Sequence, residues 1–454
     1  MTPSVKKLSL GDLILNRKGS FVFRLILAAF GIALSLFFRR IETVNADVVP
    51  EEGGVIFVLN HPNGLVDPAL VFVTLPRRIS FLAKSTLFRM PVISFILRTV
   101  EALPLYRRID AGEDVSKNTE TFRLCRELLK KGGSIALFPE GVSHNSPKLL
   151  PAKTGAARIA LGAVSLNPEK PIELNIVPVG LYYTNKTTFR SEALLHFGEP
   201  FPVRAVTLDE DGQPPREAVK ALTQQIEDTL RDVTLNAESE SELYTARIAE
   251  EIFASSAANE NLGEKLDFLK KYVEEKHEAM STDLDNRLHS YDTKLDEYGI
   301  EAAHLSLAQF DQGFVIRQAI LQTWWLVLLF PFALVGAALH FPAYQLCKLI
   351  AHYYTHHGAD DIASTVKVLA AMVFMPLTWL ILAGLVWWFS DWGFALASIP
   401  AGFLLGYIAL YTLEAAEELR GWAMAVWLFL TRKETFLRLF VERRELQREL
   451  LQFD

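Results

Sequence analysis

The chain has 454 residues, half of them apolar, and a formal net charge of −7. That length holds a catalytic domain plus a second region, and the acidic balance offers no basic stripe of the kind that binds nucleic acid, so no nucleic-acid partner is expected. The two cysteines, Cys125 and Cys347, lie far apart, which argues against a disulfide framework or a cysteine-built zinc site and suits a reducing compartment.

Residues 1–46 contain the run FVFRLILAAFGIALSLFF, with Arg24 inside it, Lys18 before it and Arg39-Arg40 after it. It lacks a small-residue cleavage site, so it is expected to be a membrane-anchoring segment lying in the interface rather than a secretory signal.

Residues 47–205 alternate short apolar runs with helical patterns, which predicts an α/β domain. The strand candidates are VIFVLN (55–60), ISFLAK (79–84), SIALFPE (134–140), LNIVPVGLYY (174–183) and ALLHFGEPF (193–201). NTETFRLCRELLKKGG predicts a helix that ends on a basic turn and a glycine stop. The first strand runs directly into NHPNGLVDP. His61 then stands at a sheet edge, where α/β folds put ligands, Pro62-Asn63-Gly64 is turn chemistry, and a helix is expected to begin at Pro68 with Asp67 as its N-cap. A turn of this kind can return the Asp67 carboxylate to the imidazole, fixing one ring nitrogen and leaving the other as a base. A capping aspartate beside an incidental histidine satisfies the same local physics. SIALFPE delivers Glu140 and Gly141 to a second strand end, and LPLYRRID supplies Arg107 and Arg108, whose planar forks suit a phosphate. Lys84 and Lys153 add point charges.

Residues 206–316 are helical and mostly acidic. EAVKALTQQIEDTLRDV and EKLDFLKKYVEEKHEAM have helical apolar spacing, compatible with a packed helical hairpin or with a solvated spacer. The region 317–413 holds three runs of near-membrane length, starting at Thr323, Val368 and Phe394, and all eight tryptophans lie at or beyond Trp324. Trp324, Trp325, Trp387, Trp388 and Trp392 sit at the ends of these runs, like an aromatic belt. The tail, 414–454, reads as basic and amphipathic. Both chain ends are basic, which puts both on the cytoplasmic side by the positive-inside rule. Three full crossings would separate them, so the first run, with Pro331 and Pro342 inside it, is expected to be a re-entrant hairpin.

Two decoys need weighing. GVSHN around Ser143 lacks the final glycine of a nucleophile elbow, so hydrogen bonding within its loop is the expected role of Ser143. His352 and His356 have metal-ligand spacing, but no glutamate intervenes as in metalloprotease helices, and no metal is expected.

Taken together and in order, NHPNGLVDP, LPLYRRID, FPEGVSH and IVPVG resemble the four blocks of the glycerolipid acyltransferase family, over about residues 48–201. The resemblance implies a central mixed sheet flanked by helices, with the helical region and transmembrane helices following it. It implies His61 as general base and Asp67 as its orienting partner. Arg107 or Arg108 would hold the phosphate, with Lys84, Ser143 and Lys153 as further substrate-binding candidates. Glu140 and Gly141 would bind the glycerol unit, and Pro178 would lie in the block that shapes the acyl side. Five residues separate His61 from Asp67, where the common family pattern has four. In this, and in SHNSPKLLPAKTG, the chain is similar to the fungal glycerol-3-phosphate/dihydroxyacetone-phosphate acyltransferases. The expected activity is therefore acyl transfer from an acyl thioester, on coenzyme A or a carrier protein, to a glycerol phosphate acceptor, without a cofactor. The expected setting is an integral membrane protein in contact with membrane lipids, its catalytic domain on the cytoplasmic face. Acylation of a lysophospholipid, or non-catalytic lipid binding by the same fold, are the alternatives.

Overall fold

The computed structural model describes residues 5–7, 19–75, 77–107, 110, 112–166, 172–254, 261–279, 282–309, 312–355 and 363–453. Residues 1–236 and 358–368 form one compact unit, and residues 237–357 and 369–454 form a second.

The first unit runs β1 (Val5–Lys7), α1 (Phe21–Phe37), β2 (Arg40–Val44), β3 (Gly54–Leu59), α2 (Val66–Thr74), β4 (Ile79–Lys84), α3 (Pro91–Thr99), β5 (Leu103–Leu105) and α4 (Asn118–Lys130). It continues through β6 (Ser134–Leu137), α5 (Gly155–Ser165), β7 (Leu174–Tyr183), β8 (Glu192–Phe197), β9 (Phe201–Pro202) and α6 (Arg216–Val233). The strands make one mixed sheet in the order β1-β2-β8-β7-β3-β6-β4-β5, with β9 on β7. β3 is buried on both faces because it lies between β6 and β7, parallel to both, which is why its sequence is an unbroken aliphatic run. One layer of core joins Ile56, Val58 and Ile135 of these strands to Cys125 and Leu129 of α4, Ile159 of α5 and Ile226 of α6. Burial of Cys125 pushes its thiol up to about 12, so it is an inert core residue.

Several expectations change here. The α/β unit reaches beyond 47–205 on both sides, taking in α1, β2 and α6. Strand β2 escapes a hydrophobicity search because it carries Arg40 and Glu42; Arg39 and Arg40 each pair with Glu192 at 3.0 Å. The run 193–201 divides into β8 and β9 around Gly198-Glu199-Pro200. Helix α2 begins at Val66, so Asp67 sits inside its first turn instead of capping it. The N-terminal helix α1 buries Phe23, Leu27 and Leu34, with Phe23 edge-on to Phe72 at 5.3 Å, and leaves Phe21 and Leu25 exposed.

The second unit contains α7 (Glu240–Ala254), α8 (Leu262–Ala279), α9 (Thr282–Tyr298), α10 (Gln312–Thr355), most of α11 (Ala363–Phe389), α12 (Trp392–Thr431) and α13 (Lys433–Leu450). Helices α7, α8, α9 and α13 form a bundle whose buried core includes Leu269, Tyr272, Leu288, Tyr291, Phe436 and Leu446. Arg287 grips Glu449 through two bonds of 2.7 and 2.9 Å, and Lys294 pairs with Glu442 at 2.6 Å. The acidic region beyond α6 is thus a folded bundle and not a solvated spacer, and the C-terminal tail supplies one of its helices.

Three stretches, Thr323–Tyr354, Ala363–Phe389 and Trp392–Thr431, are long and apolar enough to cross a membrane. Their large side chains face outward, among them Trp324, Phe330, Trp388 and Phe394. Small residues let the helices meet: a Cβ on Gly336 would collide with the Leu405 backbone, and one on Gly406 would collide with His340. His340 Nε2 accepts a 2.8 Å hydrogen bond from Trp379 Nε1. The expected re-entrant hairpin is replaced by one helix, α10, which carries Pro331 and Pro342 in its interior with no break into two. His356, half of the candidate metal pair, lies outside the described residues.

Phe436→Ala is expected to destabilise the bundle by about 3–5 kcal/mol. A thermal unfolding temperature of the purified chain equal to wild type would show that the tail helix is not part of this core.

Candidate active site

Strands β3, β4 and β6 run parallel and end at one edge of the sheet, as does β7 beside β3. Each hands the chain to a polar segment there: residues 60–65 after β3, Lys84 at the end of β4, Phe138–Gly141 after β6. Arg107 follows β5, the parallel neighbour of β4.

His61 Nδ1 lies 2.8 Å from Asp67 Oδ2. The Asp67 carboxylate is wholly buried, and two more donors reach it: Asn63 N–H at 2.7 Å on the same oxygen and the Tyr183 hydroxyl at 2.5 Å on the other. A buried carboxylate is costly unless it is paired and hydrogen-bonded; three donors and the N-terminal turn of α2 supply that compensation. Because a carboxylate only accepts, Nδ1 carries the proton and Nε2 keeps its lone pair. The imidazole is stacked on Phe138, ring centroids 4.1 Å apart, and no described residue takes Nε2. Burial, and then the neighbouring Asp67, hold the Tyr183 phenol well above its ordinary range, so it remains a donor. The five-residue spacing is absorbed by Gly64, whose φ of +47° suits a residue without Cβ.

The Phe138–Gly141 segment is a tight turn closed by Gly141 N–H to Phe138 C=O at 3.0 Å. It joins the two halves of the site. Glu140 Oε1 accepts from His61 N–H at 2.8 Å; Oε2 accepts from Leu150 N–H at 2.8 Å and is paired with His144 Nε2. With partners on both oxygens and 2% of the residue exposed, Glu140 braces the loop from within the block that the resemblance assigns to the glycerol unit. Ser143 Oγ likewise accepts from Gly64 N–H at 2.9 Å. Gly141 adopts φ +74°, and a Cβ there would strike the Lys153 side chain. Its carbonyl accepts from Arg107 Nη1 at 3.0 Å.

Arg107 also chelates Asp110, at 2.9 and 3.1 Å, and Lys84 Nζ meets the same carboxylate at 3.0 Å. Hydrogen bonding from Arg107 foremost, then from Lys84, holds the Asp110 carboxyl below its ordinary range, so it stays ionised through neutral pH. Lys153 is exposed, and no described residue takes its ammonium. Lys84, Arg107 and Lys153 therefore gather around Asp110 and Gly141, three cations against one carboxylate, which is a setting for a phosphate. Arg108 lies outside the described residues. A small cleft opens beside His61, lined by His144, Lys148, Leu149 and Asn236 among others.

Tyr183, Phe138, Asn63, His144 and Asp110 were not singled out from sequence. Phe138, Asn63, His144 and Asp110 all lie within the motif blocks, so their signal was proximity. Tyr183 ends a predicted strand, but a strand's sequence does not say which residue on a distant loop it meets.

Residues 40–182 match the Acyltransferase family model, and residues 261–453 match that of the Glycerol-3-phosphate acyltransferase 2 C-terminal domain. The chain thus carries an Acyltransferase domain followed by a Glycerol-3-phosphate acyltransferase 2 C-terminal domain. Glycerol-3-phosphate O-acyltransferase 2 of Saccharomyces cerevisiae is 28% identical to this chain over 276 residues, covering 57% of the chain and 37% of that protein. Glycerol-3-phosphate O-acyltransferase 1 of the same yeast is 24% identical over 451 residues, covering 76% of the chain and 58% of that protein. The chain thus spans less than two thirds of either relative. The solved 1-acyl-sn-glycerophosphate acyltransferase PlsC of Thermotoga maritima is 20% identical, with a TM-score of 0.34 over 47% of this chain and 78% of that one.

Removing the phenolic hydroxyl in Tyr183→Phe leaves one oxygen of a buried carboxylate short of a donor. Acyltransferase turnover is expected to fall about ten- to a hundredfold. Wild-type turnover in that variant would mean that the hydroxyl does not support Asp67.

Proposed function

We propose that this protein transfers a fatty acyl group from an acyl thioester to the hydroxyl of a glycerol phosphate, either glycerol-3-phosphate or dihydroxyacetone phosphate, in glycerolipid synthesis. The observation that carries the reading is the His61–Asp67 contact of 2.8 Å at a strand edge shared with Lys84, Arg107 and Gly141. The match of residues 261–453 to a glycerol-3-phosphate acyltransferase C-terminal domain supports this acceptor over a lysophospholipid.

In this mechanism the acceptor's phosphate binds Lys84, Arg107 and Lys153, and its hydroxyl donates to His61 Nε2. As the hydroxyl oxygen attacks the thioester carbonyl, the imidazole takes the proton, and Asp67 stabilises the positive ring. Collapse of the tetrahedral intermediate breaks the carbon–sulfur bond, and the imidazolium returns its proton to the departing thiolate. General-base assistance of this kind contributes roughly 10²–10⁴-fold, and holding the two substrates together contributes further. No covalent enzyme intermediate is needed, and Ser143 acts within its loop. The three apolar helices would keep the site beside the bilayer that receives the product.

His61→Ala is expected to abolish acyl transfer while the protein stays in the membrane fraction; near-normal turnover would end the assignment. Lys153→Ala is expected to raise the acceptor KM about tenfold with little change in kcat, as loss of one charge–phosphate contact should. Offering glycerol-3-phosphate, dihydroxyacetone phosphate and lysophosphatidate separately to wild-type membranes decides the acceptor, and turnover of lysophosphatidate alone would overturn first-step acylation.

A further inference from the structure

The loop between β3 and α2 has five backbone N–H donors from His61 to Val66, since Pro62 has none, and four of them find partners close to the site. His61 N–H goes to Glu140, Asn63 N–H to Asp67, Gly64 N–H to Ser143 and Val66 N–H to Asn63 C=O. The remaining donor, Leu65 N–H, is taken by Thr365 Oγ1 at 2.9 Å, a partner 300 residues away in sequence. Leu65 is the N-cap of α2 and brings no side-chain cap of its own. In a capping box the N-cap N–H is taken by a glutamate or glutamine at the third helical position. That position here is Pro68, which has no acceptor to offer.

Two neighbours of Thr365 bind the β7–β8 connection, which touches this loop through Asn63. The Ser364 hydroxyl donates to Lys186 C=O, the carbonyl that also receives Asn63 Nδ2 at 3.2 Å. Lys367 Nζ donates to Thr187 C=O at 2.8 Å. Ser364 and Thr365 are both buried. They form the first turn of α11, a helix long and apolar enough to cross a membrane, and its first residues, through Val368, fold with the α/β unit.

We propose that Thr365 is a positioning residue for acyl transfer, and that Ser364–Lys367 is a strap by which an apolar helix holds the His61–Asp67 loop in register. The proposal rests on His61 being the base. His61 and Asp67 flank Leu65 in the chain, and Leu65 is half-buried, so loss of the acceptor on its N–H frees the backbone between them to shift. Misplacement of a reacting group by about 1 Å costs on the order of a hundredfold.

The test compares Thr365→Val, which keeps the shape and removes the acceptor, with Thr365→Ser, which keeps the oxygen, in full-length protein in membranes. The valine variant is expected to lose at least about fivefold in kcat with acceptor KM near wild type, and the serine variant to recover it. Amide exchange over residues 61–66 should rise in the valine variant while β3 and β7 stay protected. A smaller loss of kcat, an equal loss in both variants, or exchange rising equally through β3 and β7 would overturn the proposal. His61→Ala in the same membranes separates the two ideas. If it stays active, the acyl-transfer reading fails; if it is dead while Thr365→Val is normal, the strap alone fails.

Discussion

The site is organised around one requirement, that a fully buried carboxylate be satisfied. Asp67 is wholly buried, so both of its oxygens must find donors from the fold. The imidazole, the Asn63 amide and the Tyr183 phenol come from a turn and a strand that have to be brought together for this to happen. The shape of the loop follows from these bonds. Gly64 adopts a left-handed conformation because the chain must double back within a few residues, and α2 starts early because the Asp67 side chain closes the turn onto Asn63.

The second organising piece is the short turn at Phe138–Gly141. Its ring stacks on the imidazole, its glutamate grips the His61 amide, and its last carbonyl anchors Arg107. A single rigid turn thus sets the distance between the imidazole and the cationic cluster, with Lys153 filling the space that a side chain on Gly141 would need. This division of labour explains why a glutamate in a substrate-facing motif is buried: its charge organises backbone donors, and the exposed cations are left to meet solvent.

The remainder of the chain has its own logic. The bundle of α7, α8, α9 and α13 is formed from the two ends of the second unit, so α7–α9 bury their apolar stripes against the C-terminal helix, whose Glu442 and Glu449 pair with Lys294 and Arg287 of α9. The apolar helices carry large side chains outward and meet through glycines, the pattern of helices whose surroundings are hydrocarbon. One family match covers the sheet from β2 almost to the end of β7, and the other covers the bundle and apolar helices from α8 onward.

By itself the sequence determined the local elements: the aliphatic strands, because a strand buried on both faces must be apolar throughout, and the apolar helices, because bilayer length demands some twenty such residues. It also determined which residue types stand at the strand ends, since turn chemistry after VIFVLN and SIALFPE is legible one residue at a time. It left undecided whether Asp67 capped a helix or faced the imidazole and whether the acidic region packed at all, and it gave no sign that Glu140 would be buried. Those outcomes belonged to the tertiary structure. Each depends on a partner remote in sequence, Tyr183 for Asp67, His61 for Glu140 and Phe436 for the bundle, and no local pattern encodes the meeting of two segments that only the folded sheet or bundle brings within hydrogen-bonding or van der Waals reach.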